Sequence, residues 1–357
     1  ITAEFPPSIK LQGLMRPIGQ QALTPEKTKL FAYSLMNEKQ RLEYENEWEC
    51  NFAINVPNVS RFRVNVFKQQ LQVGMVIRTI TSEIPTFQKL KLPESLKNVM
   101  LEKRGLVLVV GSTGSGKSTS LAAMIDHRNE NSAGHIITVE DPVEYVHQHK
   151  KSMITHREVG VDCHSWHHAL KNTLRQAPDV ILIGEIRDTE TMEHAIAFAE
   201  TGHLCLGTLH ANNANQALDR IINFFPDERR NQLLMDLSSN MKAIISQRLV
   251  RTQDGNGRRA AVEILLNTPL IAENILKGQF HNLKEIMTKS RELGMQTFDQ
   301  ALFDLYNEGA ISYDEALRNA DSLNELRLQI KLKGSRQEDV PTAASFNMMK
   351  EESEEEV

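Results

Sequence analysis

Short apolar runs alternate with stretches of helical length through the middle of the chain. The runs cover residues 106–110, 136–139, 180–183 and 204–208, and each is nearly free of polar side chains. Strands that are buried on both faces by helices have this continuous apolar pattern. Strands and helices that alternate in this way predict a doubly wound α/β domain with a parallel sheet.

The first 80 residues follow a different pattern, with short β-type runs and one strong helical stretch. Thr24 is a typical helix cap, Pro25 suits the first helical position, and Glu26 adds an acid in the first turn. Residues 52–56, 61–67 and 75–80 read as strands. This part of the sequence predicts a small α+β domain built on an antiparallel sheet.

The remaining segments complete the predicted organisation. Residues 81–104 form a linker with a short helix, and the chain after about residue 215 is expected to be mostly helical, with 229–250 as one long helix. Capping boxes at Thr297–Gln300 and Ser312–Glu315 mark two later helix starts. Residues 334–357 are polar and rich in glutamate, so we expect a disordered acidic tail after a domain that spans 105–333.

Composition narrows the class of protein. The 357 residues are 40% hydrophobic and 24% charged with a net charge of −5, so no basic excess points to nucleic acid. No apolar run approaches the ~18 residues that span a bilayer, and no signal peptide is visible. The sequence opens at Ile1 rather than Met, so we expect further residues before it. The odd cysteine count, without CxxC spacing, argues against disulfides and a four-cysteine zinc site and favours the cytoplasm.

A phosphate-binding loop follows the first apolar run of the central domain. The sequence from Gly111 to Ser118 matches GxxxxGK[ST], between a predicted strand and a predicted helix. Backbone N–H groups of such a loop close on phosphate oxygens, Lys117 reaches the β- and γ-phosphates, and Ser118 binds Mg²⁺. We expect Lys117 to face solvent without nucleotide. The predicted nucleotide contacts in the loop are Gly111, Ser112, Thr113, Gly114, Ser115, Gly116, Lys117, Ser118 and Thr119.

Acidic residues follow two other predicted strands. Glu185 ends one of them and is the candidate for the acid beside magnesium, with an ordinary strand end as the alternative. Glu140, Asp141 and Glu144 follow another, where a carboxylate can orient or deprotonate the attacking water. An acidic, solvated turn is the alternative there, and spacing does not decide which acid is the base.

Two groups of histidines remain open to several interpretations. His203 and His210 flank a predicted strand and are candidates for sensing the γ-phosphate, for binding metal with Cys205, or for a structural role. The cluster of His164, His167 and His168 is expected to be a solvated face, with a metal site as the alternative.

The order of these motifs resembles the type IV pilus retraction and type II secretion ATPases of bacteria, which are P-loop hexamers with RecA-like domains. The resemblance runs from Ile1 to about residue 320. Residues 61–67 resemble the arginine strand of the family, 137–144 its aspartate box, 179–188 its Walker B strand and 200–210 its histidine box. Within the PilT/PilU retraction family, residues 200–226 are most similar to the PilU type.

The resemblance implies a set of roles. The N-terminal domain would be PAS-like, Glu185 the Walker B acid, and Glu144 the catalytic glutamate with Glu140 as second choice. Four arginines would lie near phosphates, in the same subunit or across an interface: Arg63, Arg78, Arg175 and Arg220. ATP and Mg²⁺ would be the ligands of a homo-hexamer. Its partners would be a PilT-type retraction ATPase and the inner-membrane pilus platform protein, reached from the cytoplasm without membrane insertion and without nucleic acid.

Together these features predict an ATP-hydrolysing motor for pilus retraction and twitching motility, accessory to a PilT-type ATPase. The sequence lacks the four-cysteine motif usual in assembly and secretion members, which favours retraction. It also lacks an Ala-Ile-Arg-Ala-Ser-type segment found in PilT-type members. The alternatives are a pilus assembly or type II secretion ATPase, a nucleic-acid motor, and a nucleotide-binding regulatory subunit of a sister motor.

Overall fold

The computed structural model describes residues 1–11, 14–57, 59–80 and 83–334. The chain divides into two compact units. The first comprises Ile1–Glu83 together with Glu144–Val146, and the second comprises Ile84–Val143 and the chain from His147 onward. The predicted acidic tail lies outside the described residues from 335 on.

In its described residues, the N-terminal unit contains two helices and five strands. The strands β3, β4 and β5 form an antiparallel sheet in that order, and β1 pairs antiparallel with β2. In chain order the elements are β1 (Ser8–Leu11), β2 (Leu14–Pro17), α1 (Pro25–Leu35), α2 (Glu38–Glu47), β3 (Glu49–Val56), β4 (Ser60–Gln69) and β5 (Gln72–Ile80).

The core of this unit lies between α1 and the sheet. Ala32 and Met36 are buried with Phe52, Val64 and Val66 in one apolar cluster. The predicted α1 is confirmed, as its cap Thr24 accepts a hydrogen bond from the backbone N–H of Lys27 at 3.3 Å. The three predicted strands are also confirmed. The sequence did not reveal α2, because this helix buries only Tyr44 and its other residues are polar except for the exposed Leu42.

The second unit is built on a seven-stranded sheet in the order β12-β11-β6-β10-β9-β7-β8. All neighbouring pairs are parallel except β11 with β12. Its elements are α3 (Phe87–Leu90), α4 (Ser95–Met100), β6 (Gly105–Val110), α5 (Lys117–Asn131), β7 (Gly134–Glu140), β8 (Ser152–Glu158), α6 (Trp166–Thr173), β9 (Val180–Ile183), α7 (Thr189–Glu200), β10 (Leu204–Leu209), α8 (Ala214–Ile222), α9 (Arg230–Asn240), β11 (Met241–Arg251), β12 (Arg258–Leu266), α10 (Pro269–Leu276), α11 (Leu283–Lys289), α12 (Phe298–Asn307), α13 (Tyr313–Arg318) and α14 (Leu323–Lys333).

Helices cover both faces of this sheet. Leu106, Leu108 and Val110 of β6 belong to one buried apolar cluster, whereas Val107 and Val109 belong to a second. Each fully buried side chain of this size contributes about 1.5–3 kcal/mol by leaving water. The predicted doubly wound α/β fold is therefore confirmed.

The predicted helix over 229–250 is wrong in its second half. Helix α9 ends at Asn240, and the chain continues as β11, which lies beside β6 in the sheet. The β-branched residues Ile244 and Ile245 are buried there on opposite faces. The expectation that the chain after residue 215 is mostly helical is corrected accordingly, because β11 and β12 complete the sheet.

The helices α12, α13 and α14, which end the described part of the chain, form a separate cluster around Phe298, Tyr306 and Leu326. The capping box at Thr297 is confirmed, since its hydroxyl accepts from the Gln300 N–H while the Gln300 side chain accepts from Thr297. Among the described residues, no helix combines the length and apolar character needed to cross a membrane.

Candidate nucleotide-binding site

The predicted phosphate loop connects β6 to α5. Gly116 immediately precedes the helix with a φ of 86°, and a Cβ there would lie 2.7 Å from Nε2 of Gln247. A Cβ on Gly111 would lie 2.4 Å from Oγ of Ser115. Glycine is required at both positions because the loop folds tightly on itself and on β11. The backbone N–H groups at the start of α5 lack partners within the helix and suit an anion.

The expectation that Lys117 faces solvent is wrong. Its side chain is buried, and its ammonium group donates to the carbonyl oxygens of Gly111 at 2.8 Å and Ser112 at 2.9 Å. Burial lowers the pKa of Lys117, and the nearby carboxylate of Glu185 opposes that shift. In this conformation the lysine occupies the hollow of its own loop, whose carbonyls replace water as acceptors.

Strand β11 supports the loop from one side. The Gln247 amide donates to the Ser115 carbonyl at 2.8 Å. The other polar atoms of this contact, Oε1 of Gln247 and Oγ of Ser115, are buried without a hydrogen-bond partner in the described part of the chain. Such atoms are ready to bind a ligand or water at the loop.

A cleft of about 260 Å³ opens beside the loop. Sequence reasoning did not identify its other walls, which lie far along the chain and match no local motif: Asn212, Gln247, Arg248, Leu249, Arg258 and Asn319. Arg248 is held there by the Asn319 carbonyl at 2.8 Å and by Asp321 at 2.7 Å.

Glu185 and His210 come together at the same edge of the sheet as the loop. Glu185 follows β9 and His210 follows β10, which lies between β9 and β6. An Oε1 oxygen of Glu185 is 3.4 Å from Nε2 of His210, and both side chains are partly exposed. Burial lowers the pKa of His210, with the positive charges of Lys117 and Arg220 adding to the effect and Glu185 opposing it. Neutral imidazole is therefore favoured.

The two candidates for the base fall in different units. Glu140 is the last residue of β7 and is buried, and its Cα is so close to Gly184 that a Cβ there would approach it to 3.1 Å. It therefore lies next to the strand end that carries Glu185. Glu144 is exposed and groups with the N-terminal unit.

His203 lies at the edge of the sheet opposite the phosphate loop. The His203 carbonyl accepts from Gly105 N–H at the start of β6, so His203 and His210 are separated by the length of β10, about 20 Å. Within one chain, His203 and His210 therefore cannot both sense the same γ-phosphate. They also cannot bind one metal ion together with Cys205. The His203 ring instead contacts the Phe198 carbonyl at 3.2 Å.

Arg175 lies at that same far edge. The next residue, Gln176, accepts a hydrogen bond through its carbonyl from His135, which is near the start of β7. Arg175 is exposed there, so the expected phosphate contact cannot be made within one chain and is left to an interface. Arg220 differs, because its charge reaches His210 and it therefore lies on the side of the phosphate loop.

Arg63 and Arg78 lie directly opposite one another on β4 and β5 of the N-terminal unit. Like charges in directly opposed positions of a sheet are destabilising unless an anion or an acid offsets them. The described structure thus presents two guanidinium groups on one sheet face, as an anion site requires.

On the α5 side of the loop, Ser118 and Thr119 occupy the first helical turn, and the Ser118 side chain is exposed. A hydroxyl oxygen and the carboxylate of Glu185 are the hard oxygen ligands that Mg²⁺ takes in proteins. The donor set therefore fits the ion that the motif implies.

Comparison with known proteins agrees with this geometry. The chain is 60% identical to the type IV pilus ATPase PilU of Pseudomonas aeruginosa over 93% of this chain and 87% of that protein. It is 42% identical to the pilus retraction ATPase PilT of the same organism over 90% of this chain and 93% of that one. A crystal structure of the pilus retraction motor PilT with bound ADP superposes with a TM-score of 0.85, at 41% identity, over 91% of this chain and 93% of that chain.

The family assignment rests on most of the chain rather than on the loop alone. Residues 46–318 match the family described as Type II/IV secretion system protein, a range that covers part of the first unit and most of the second. With the phosphate loop, Glu185 and His210 on one sheet edge, this match establishes that the chain belongs to the Type II/IV secretion system protein family.

Proposed function

We propose that this chain is an ATP-hydrolysing motor subunit that powers type IV pilus retraction, as an accessory to a PilT-type ATPase. The observation that carries the proposal is the grouping of the phosphate loop, Lys117, Glu185 and His210 in a chain 60% identical to PilU. The ADP bound to the related PilT structure supports nucleotide as the ligand of this loop.

Binding begins with an exchange of partners at Lys117. The loop N–H groups and the start of α5 receive the phosphates, and Lys117 moves from the carbonyls of Gly111 and Ser112 to the β- and γ-phosphate oxygens. Ser118 and Glu185 would hold Mg²⁺, which neutralises charge on the phosphates when bound.

Hydrolysis requires a water in line with the γ-phosphate and an acceptor for its proton. The water oxygen bonds to the γ-phosphorus, the bond to the bridging oxygen breaks, and ADP leaves with inorganic phosphate. We assign the proton to the carboxylate of Glu144, with Glu140 as the second choice. His210, neutral and beside Glu185, is suited to sense the γ-phosphate by hydrogen bonding.

The arginines support a ring of subunits. Arg175 is exposed at the sheet edge opposite the phosphate loop, so in a ring it is available to the site of a neighbouring subunit. Arg63 and Arg78 form a paired cationic face in the N-terminal unit that suits phosphate oxygens. A homo-hexamer that docks on the inner-membrane platform protein from the cytoplasm completes the proposal.

The function is tested with purified protein and in cells. The isolated chain should hydrolyse ATP in a Mg²⁺-dependent manner, and turnover should change when a PilT-type ATPase is added. Deleting the gene should leave pili displayed on the cell surface but weaken their retraction under load. Loss of surface pili even when the PilT-type motor is also removed would identify an assembly motor and refute retraction.

A further inference from the structure

Two helices of the second unit bring together three metal-binding side chains away from the phosphate loop. His167 of α6 faces Glu190 and His194 of α7, and their ligand atoms all lie within 4.8 Å of one another. His167 and Glu190 are exposed and His194 is partly buried. The nucleotide site uses none of these residues.

The helix geometry fixes this arrangement. Ser165 caps α6 by accepting a hydrogen bond from the His168 N–H at 3.3 Å, which places His167 in the first turn. Asp188 caps α7, and Glu190 and His194 are four residues apart, so they project from the same side of that helix. The two helices therefore present three ligands that converge from two directions.

We propose that His167, Glu190 and His194 form a zinc-binding site. Two imidazoles and one carboxylate, with water in the fourth position, are a ligand set that Zn²⁺ takes in proteins. Zn²⁺ bonds of about 2.0–2.2 Å place ligand atoms roughly 3.4 Å apart. The ligand atoms here lie within 4.8 Å of one another, so the widest gap has to close by at most roughly 1.4 Å, while His167 and Glu190, already in contact, have to move slightly apart. Because two of them are exposed, side-chain rotation is sufficient.

A simple ion pair does not account for the whole cluster. Nδ1 of His167 contacts the Glu190 carboxylate directly, and an exposed pair of this kind contributes about 1 kcal/mol or less. His194 takes no part in that pair, yet its ring is held beside the others by Phe198, at 5.8 Å between centroids. The ring therefore lies where one ion can contact all three side chains.

Such an ion would connect the site to the segment that carries Glu185. Trp166 precedes His167, and its ring lies under the Arg187 guanidinium at 5.9 Å. Arg187 is two residues after Glu185. Zinc that joins the first turns of α6 and α7 would therefore stiffen the chain on both sides of this contact.

The test uses the full chain after chelator treatment, titrated with Zn²⁺ alone and monitored by calorimetry and thermal unfolding. One Zn²⁺ per chain should bind and raise the melting temperature, and Co²⁺ should give the visible absorption of a tetrahedral site. Glu190→Gln keeps an acceptor for His167 but removes the charge, and His194→Asn removes a ligand. Each should weaken Zn²⁺ affinity by at least about 10-fold.

His281→Asn is the matched control, because His281 is an exposed histidine on a different segment, and it should bind Zn²⁺ as the wild type does. If His194→Asn does not fold, as judged by circular dichroism, His167→Asn replaces it, since that side chain is exposed. The proposal is refuted if the wild type binds no Zn²⁺, or if Glu190→Gln and the histidine variant retain wild-type affinity. ATP turnover is not needed for any of these readouts.

Discussion

Lys117 is hydrogen-bonded to its own loop, so its removal should lower both ATP turnover and stability. Lys117→Ala is expected to lower ATP turnover by at least about 10²-fold, because the charge that meets the phosphates is lost. The carbonyls of Gly111 and Ser112 also lose their donor, so we expect about 1–3 kcal/mol of lost stability. Turnover assays and urea unfolding measure the two effects.

Lys171→Ala is the control for this substitution, because Lys171 is an exposed lysine on α6 and should leave both quantities unchanged. Wild-type turnover in Lys117→Ala would show that the loop is not the hydrolytic site.

The three carboxylates are separated by matched amide substitutions. Glu185→Gln and the substitution of the true base should each slow hydrolysis by about 10²-fold or more while ATP still binds. We expect Glu144→Gln to behave this way and Glu140→Gln to have the smaller effect. Turnover and binding of a fluorescent ATP analogue are measured together, with the exposed Glu325→Gln as control.

If Glu140→Gln slows hydrolysis more than Glu144→Gln does, the base is Glu140, the buried carboxylate at the end of β7. Loss of ATP binding with normal turnover per bound nucleotide would instead make Glu185 and Glu144 ligands of the ground state.

His147 makes stability depend on pH. It is buried and stacked on His156 at 5.7 Å between ring centroids, and burial lowers its pKa to about 3. The unfolded chain has a histidine pKa of about 6.5, so it takes up a proton first as the pH falls. The stability associated with neutral His147 is present above about pH 6.5 and is lost progressively toward pH 3.

The free energy of unfolding should therefore fall between pH 7.5 and pH 5, and His147→Gln should reduce this slope. The exposed His281→Gln should leave the slope unchanged. Equal slopes in wild type and His147→Gln would mean that other groups cause the acid sensitivity.

The positions of site residues could be predicted from the sequence where those residues directly follow a predicted strand. The loop from Gly111 and the acid at Glu185 follow buried strands, and parallel strands bring their carboxyl ends to one edge. The same reasoning failed for His203, which precedes its strand rather than following it. Gln247 and Arg248 carry no motif, because only the pairing of β11 with β6 places them at the loop.

At the scale of elements, β11 acts as a support for the phosphate loop. Gln247→Met removes the hydrogen bond to the Ser115 carbonyl at nearly constant side-chain volume. We expect nucleotide affinity to fall by about 0.5–1.5 kcal/mol, or roughly 2- to 13-fold. Gln296→Met is the matched control, because Gln296 donates to the Val262 carbonyl at 2.7 Å away from the cleft. Comparable affinity losses in both variants would point to general destabilisation instead.

The error over β11 has a physical cause. A short apolar segment with polar residues at intervals fits both a helix and a strand, and the choice depends on partners distant in sequence. Here β6 provides the partner, and Ile244 and Ile245 pack into the two clusters on either side of the sheet. Runs with no polar residue, such as β9, were predicted correctly because a buried position is their only stable environment.

At the scale of the whole molecule, we predict that activity depends on assembly. Arg175 lies at the edge of the sheet opposite the phosphate loop, so a ring is needed for it to reach a phosphate. Turnover per subunit should rise with protein concentration in parallel with a species of six subunits, measured by mass photometry. Arg175→Ala should lower turnover without preventing assembly, whereas Lys171→Ala should change neither.

A monomer with full turnover at every concentration would contradict the ring. Normal turnover in Arg175→Ala would be compatible with a ring but would show that Arg175 does not act at its nucleotide sites.

The hydrogen bond between Gln247 and Ser115 also bears on how the protein is made. The two residues are 132 positions apart, and β6 has β10 and β11 as its neighbours, both far downstream. During synthesis the phosphate loop leaves the ribosome long before the strands that flank it. Pairing over such separations is slow, so the nascent chain exposes the apolar β6 for much of translation. The most recognisable motif of the sequence is thus completed only after β10 and β11 have been made, and until then β6 is a segment that a chaperone has reason to cover.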